Sequence, residues 1–232
     1  MSESGRWPDR VVIAVDGPSG SGKSTVARGV ARALGLRYLD TGAMYRAITW
    51  AALQRGIDPA DAQALGELAT TARLDMGTDP STPTVAVDGA DASVAVRTEP
   101  VTAAVSAVSA VPAVRTAMVT RQRELIGRGG IVVEGRDIGS TVAPGATLKI
   151  FLTADPAARA RRRGLELAGR TLDTAMLNRT REDLLRRDAA DSGRAASPLT
   201  QAEDAVVIDS TDLGPDEVVA RVVELLGSVR QS

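Results

Sequence analysis

Residues 17–24 read Gly17, Pro18, Ser19, Gly20, Ser21, Gly22, Lys23, Ser24, with Thr25 following, and they fit the pattern GxxxxGK[ST]. Glycines at these places let backbone N–H groups turn inward around phosphate oxygens. A helix opening at the lysine adds its partial positive end. Lys23 suits the β- and γ-phosphates, and Ser24 suits a Mg²⁺ ion carried on them. The stretch follows an apolar run and precedes a helical pattern, the context this chemistry requires. It is read as a nucleoside triphosphate site, with ATP as the ligand. Such loops serve motors, switches and kinases alike, so the loop alone does not name the acceptor.

Three further clusters mix arginine with acid. Asp40, Thr41, Tyr45 and Arg46 stand at the end of one apolar run. Gly135, Arg136 and Asp137 follow another: the glycine permits close backbone approach, Arg136 offers a fork for phosphate and Asp137 an acceptor. Arg187, Asp191 and Arg194 are spaced by four and three, one face of a helix. Arg159, Arg161, Arg162 and Arg163 lie in a run read as an exposed arginine-rich helix. Each cluster has a plain alternative, a capping acid or a solvated charged face.

Composition narrows the chemistry. The chain has 232 residues, no cysteine and no histidine. Thiolate nucleophiles, Ser-His-Asp arrangements and His or Cys metal sites are therefore excluded. Carboxylates, Lys, Arg, hydroxyls, main-chain amides and a hard cation remain. The net charge of −1 argues against a general nucleic-acid binder. The opening residues lack a signal-peptide core, and no apolar run approaches a membrane span. A cytoplasmic protein is expected. Only Lys23 and Lys149 are lysines among its 28 basic residues. A chain that writes arginine almost everywhere keeps lysine, a compact point charge, inside the glycine loop.

Five apolar runs must position these groups: residues 11–16, 37–40, 131–134, 148–153 and 205–209. They read as strands buried on both faces of a parallel sheet, several ending in Asp or Glu, where open α/β sheets bind ligands. Val26, Val30, Ala33 and Leu34 are expected as one helical stripe stopped by Gly35. Pro215, Asp216 and Glu217 open a last helix with Val218, Val222, Leu225 and Leu226 inward. The alternation predicts α/β architecture with right-handed crossovers. Residues 72–101 break the rhythm and predict a small antiparallel β insertion turning at Asp88-Gly89. The expected divisions are a tail at 1–9, a P-loop core at 10–232, the insertion at 72–101 and an arginine-rich lid at 156–170.

The stretches DGPSGSGKST, LDTGAMYR, VVEGRDIGS and RDAADSGR, in this order with the insertion between the second and third, resemble the bacterial cytidylate kinases. The resemblance runs from residue 11 to about 226. It implies the P-loop kinase fold, with a five-stranded parallel sheet in the order 2-3-1-4-5, and transfer of the ATP γ-phosphoryl group to CMP or dCMP. Carried over by motif, Thr41, Arg187 and Asp191 would face the sugar, and Tyr45 would belong to the CMP site. Arg46, Arg136 and Arg194 would grip the CMP phosphate. Asp137, with Ser106 and Arg115, would read cytosine, whose exocyclic amine a carboxylate can accept. The family often has Ser where this chain has Thr41.

The attacking group in such a reaction is already a phosphate oxygen, so a chain without histidine can run it by positioning and charge neutralisation. Lys23, Mg²⁺, Arg136 and the lid arginines, Arg159 and Arg163 among them, would neutralise the transferring group. The expected partners are ATP and CMP or dCMP, with no nucleic acid and no membrane, on a monomer. Another kinase of this fold, acting on AMP, UMP or shikimate, and a P-loop switch are the competing readings.

Overall fold

The computed structural model describes residues 10–168, 173–194 and 196–229. The expected tail, residues 169–170 of the expected lid and the last three residues lie outside these. Five parallel strands form the central sheet: β1 (Val12–Asp16), β2 (Arg37–Asp40), β6 (Ile131–Gly135), β7 (Leu148–Thr153) and β8 (Val206–Asp209). They lie in the order β2-β6-β1-β7-β8. Counting only these five in chain order gives the expected 2-3-1-4-5. In the register, Asp16 stands beside Gly135 and Asp40 beside Glu134, so the strand ends bring their acids to one edge.

Each face of the sheet has its own core. On one, α1 (Lys23–Leu34) and α8 (Pro215–Val229) bury Val26, Val30, Leu34, Val218, Val222 and Leu226 against Ile13, Val15 and Ile150. Gly35 ends α1 at φ 65°, as expected. Ala33 does not join the stripe. Ala27 and Ala31 are buried instead, because the inward face of α1 follows the i, i+3, i+4 rows from Lys23. On the other face, α2 (Thr41–Gln54), α3 (Ala62–Thr71), α4 (Glu99–Ala110) and α5 (Pro112–Ile126) pack Met44, Ile48, Leu65 and Met118 onto Leu39 and Val133.

The insertion is an antiparallel sheet of β3 (Leu74–Met76), β4 (Val85–Val87) and β5 (Ala90–Asp91). Asp88 at φ 51° and Gly89 at φ 83° make the two-residue hairpin turn between β4 and β5. The antiparallel part is shorter than 72–101, since Ala95–Arg97 forms a 3₁₀ turn and Glu99 opens α4. The loop between β3 and β4 straps onto the main sheet. Thr78 O accepts the Tyr38 N–H at 2.8 Å on the outer side of β2, and Arg28 on α1 donates to Pro80 O at 2.8 Å and to Ser81 O at 3.2 Å.

β8 departs from expectation. It is an edge strand with Val206 37 % and Val207 49 % exposed, because only β7 pairs with it. The arginine-rich segment forms α6 (Pro156–Ala168), which packs against α7 (Thr174–Ser192). It is not the exposed helix expected from its charge. Arg159 is buried, Arg162 and Arg163 are half-buried, and of these arginines Arg161 alone is exposed. Among the described residues no single helix is long and apolar enough to cross a membrane.

Candidate active site

The phosphate loop runs from the end of β1 into α1. Gly17 takes φ 146°, and a Cβ there would fall 2.0 Å from Leu152 O, so no other residue fits against β7. Gly20 and Gly22 also hold positive φ, at 75° and 92°. These bends bring Lys23 to the first turn of α1, buried, with its Nζ folded back onto Pro18 O at 2.6 Å. Burial first, and then Arg136, depress the Lys23 pKa.

A cleft of about 620 Å³ opens from this loop toward α2, the insertion and α7. Ser19, Gly20, Gly22, Lys23, Ser24 and Thr25 line its near end. Thr41, Tyr45, Arg46, Ser106, Arg115, Arg136, Asp137, Arg163, Arg187, Asp191 and Arg194 line the rest. The fold therefore brings nearly all the sequence-expected residues to one cavity. Four stand off its wall. Gly17 and Pro18 carry the turn, Ser21 is buried with no hydrogen-bond partner for its hydroxyl among the described residues, and Arg159 lies behind the loop.

At the far end Arg115 and Asp137 pair at 2.5 Å, with side chains only 3 % and 6 % exposed. The Arg115 guanidinium also donates to Ser109 O at 3.2 Å and stands 5.2 Å from the centre of the Tyr45 ring, a cation–π distance. Asp191 is shared. Arg136 Nε donates to it at 2.9 Å, and Arg194 pairs with its other oxygen. Arg194 lies beyond the last turn of α7 rather than on the helix face expected from spacing, and it reaches back to Asp191 and to Ser109 Oγ at 3.1 Å. Arg46 donates to Val96 O at 3.0 Å and Thr102 Oγ1 at 2.8 Å.

The arginines crowd one another. Burial, and then Arg187 and Arg163, lower the Arg46 pKa to about 10. Burial followed by Arg136 lowers Arg187, and burial lowers Arg194 against the pull of Asp191. An anion placed among them would relieve all three.

Three groups at the site were not singled out from sequence. Glu134, at the end of β6, is buried between the Lys23 ammonium, the Ser24 hydroxyl and the Tyr38 hydroxyl, which donates to it. Burial, reinforced by Asp40, raises its pKa. Its own carbonyl accepts the Thr41 hydroxyl at 2.7 Å, so that hydroxyl is held by the main chain. Asp188, next to Arg187, accepts the Ser19 N–H at 2.9 Å. The acid ending the third predicted strand was the available signal for Glu134. For Tyr38 and Asp188 there was none. Asp16 accepts N–H bonds from Ile138 at 2.9 Å and Gly139 at 2.7 Å, one to each carboxylate oxygen, and so anchors the turn after β6.

A sequence model described as cytidylate kinase matches residues 13–228. The curated cytidylate kinase of Streptomyces avermitilis is 54% identical over 222 residues, covering 95% of this chain and 94% of that one. That of Mycobacterium leprae is 50% identical over 218 residues, covering 93% and 95%. Among solved structures, an uncharacterized protein from Eubacterium ventriosum aligns with a TM-score of 0.51 at 12% identity over 94% of this chain and 99% of that one, a likeness of fold alone. With the family model spanning the sheet, the loop and every arginine of the cleft, the chain belongs to the cytidylate kinase family.

Proposed function

We propose that this chain transfers the γ-phosphoryl group of ATP to CMP or dCMP, releasing ADP and CDP or dCDP. One observation carries the reading: a single cleft joins the phosphate loop around Lys23 to a group of mutually repelling arginines that ends in the buried Arg115–Asp137 pair. Two anions meeting end to end would neutralise that charge. The Asp137 carboxylate is an acceptor for the exocyclic amine of cytosine, and it faces the carbonyl of uracil unfavourably.

ATP enters as its magnesium complex. The donor set suits that ion: the Ser24 hydroxyl beside the Glu134 carboxylate offers hard oxygens that would hold it. The bound ion would neutralise charge on the phosphates. Lys23 holds the β- and γ-phosphate oxygens. Arg46, Arg136 and Arg194 hold the acceptor phosphate in line, while Arg187 and Asp191 meet the sugar edge. Thr41 steadies the Glu134 main chain behind it. The acceptor needs no strong base, so these residues act by orientation and by charge held in place before the reaction. The described part of the lid, residues 156–168, closes over ATP and excludes water, with Arg163 reaching the transferring group, and residues 72–101 bind the acceptor. The protein works as a cytoplasmic monomer on small nucleotides, with no nucleic-acid partner, in pyrimidine nucleotide metabolism.

The test is ADP release from Mg-ATP across a panel of acceptors. CMP and dCMP are expected to stimulate it strongly, UMP weakly and AMP hardly at all. AMP as the best acceptor would overturn the cytosine assignment, and no stimulation by any monophosphate would overturn kinase activity.

A further inference from the structure

Ser19 belongs to the phosphate loop, yet its main-chain groups are held from outside it. Its N–H donates to Asp188 Oδ1 at 2.9 Å, and its carbonyl accepts from Arg159 Nη1 at 3.1 Å. Arg159 and Asp188 close the ring by pairing with each other. Arg159 Nε also donates to Ala154 O at 3.2 Å, tying the ring to the end of β7. Gly20 packs directly on the same two helices: a Cβ there would stand 3.2 Å from Arg159 O and 3.4 Å from Leu184 Cδ1. The loop is therefore pressed against the backbone of α6 and the Leu184 side chain of α7.

The helix that supplies Asp188 also serves the far end of the cleft. Arg187, its neighbour, lines the cavity, and Asp191, three residues on, takes Arg136 Nε at 2.9 Å. Residues three apart on a helix are fixed relative to one another by its backbone bonds. Charge-assisted bonds in a poorly hydrated place are directional as well as strong. A shift of α7 toward a bound acceptor therefore moves the Ser19 peptide, and a shift of the loop moves Asp191.

We infer that Asp188, with Arg159, is a positioning pair that couples the donor-phosphate loop to the acceptor-gripping end of α7. This rests on the acceptor reading of Arg136, Arg187 and Arg194 proposed above. Neither Asp188 nor Arg159 then touches a reacting atom. They set the loop's shape and make the two nucleotides sense each other, equally in both directions because coupling of binding is reciprocal.

The test uses the full chain, with Asp188→Ala and the isosteric Asp188→Asn. Calorimetry measures Mg-ADP binding with and without saturating CMP, and CMP binding with and without Mg-ADP. Asp188→Ala is expected to weaken Mg-ADP by about tenfold with CMP absent, the loss of one charge-assisted bond. CMP alone should change by less than about twofold, and the coupling ratio should fall toward one. Asp188→Asn keeps an acceptor for Ser19 and loses the charge facing Arg159, so it should fall between, and it decides the matter where Asp188→Ala does not fold. A wild-type coupling ratio in both variants would overturn the inference. So would equal loss of both nucleotides together with a lower melting temperature, which marks a packing role. A wild-type protein that binds Mg-ADP but not CMP would instead bring down the acceptor reading, and the coupling with it.

Discussion

Asp137 and Arg115 form an ion pair of 2.5 Å whose side chains are almost wholly removed from solvent. Each keeps a second face: Asp137 lines the cleft, and Arg115 lies against the Tyr45 ring. Losing one partner therefore harms both stability and selectivity. Asp137→Ala leaves a buried guanidinium unmatched and is expected to cost about 3–5 kcal/mol of stability. Asp137→Asn keeps the shape and offers an amide N–H to the pyrimidine carbonyl. Its kcat/KM for CMP should fall by about 10²-fold or more, while the ratio of UMP to CMP turnover rises. Steady-state kinetics on both acceptors check this, and an unchanged ratio would refute the assignment.

Lys23→Ala separates chemistry from folding. The ammonium is buried and its pKa depressed, so its charge is a cost to the folded state. Removing it should lower phosphoryl transfer by about 10³-fold or more, while the melting temperature stays level or rises. Coupled-assay rates and a thermal melt decide. A folded variant with full turnover would sink the loop assignment.

Gly135 shows how tightly the floor of the cleft is built. A Cβ there would lie 2.7 Å from Thr41 Oγ1 and 2.7 Å from Ile138 Cδ1. Gly135→Ala must push the Thr41 hydroxyl off the Glu134 carbonyl. Overpacking of this kind costs about 1–3 kcal/mol, a fall in melting temperature of about 2–12 °C for a chain of this length, with activity lost alongside. Gly145→Ala is the control, since nothing lies within 4 Å of that position, and it should melt like the parent.

The pH dependence of stability has an assignable part in Asp16. Burial raises its pKa from 3.8 to about 6, even though Gly139 and Ile138 donate to it. The native state then binds a proton more readily than the unfolded chain across this window. The Asp16 contribution is full below the unfolded value and is lost as pH rises through about 6. The unfolding free energy of the parent, less that of Asp16→Asn, should drop by about 2 kcal/mol between pH of about 4 and about 7. Denaturant melts at several pH values measure this. A flat difference would show that Asp16 titrates normally.

The sequence displayed what is local. The phosphate loop is one short stretch whose glycines each have a steric reason, and the strands are apolar runs whose ends carry the acids now found at the cleft. The last helix announced its start with Pro215 and its inward face with Val218, Val222 and Leu226. What stayed hidden depends on elements far apart in the chain. Tyr38 meets Glu134 across 96 positions because β2 lies beside β6, and Ser19 meets Asp188 across 169 because α7 returns to the end of β1. No periodicity encodes such meetings. α6 misled for a related reason: its arginines give no apolar stripe from which an inward face can be read, and burial of Arg159 follows from the partner that α7 supplies.

The two flanks of the sheet also differ as templates for another molecule. Beside β2, the Thr78 carbonyl and the strapped loop already occupy the place a new strand would take. Beside β8, among the described residues, no strand pairs on the outer side, and Val207 is half bare. Strand addition to the main sheet therefore has, among the described residues, one open edge, two strands away from the phosphate loop. A lysine there, Val207→Lys, would guard that entry and reduce clumping on heating without touching the catalytic cleft.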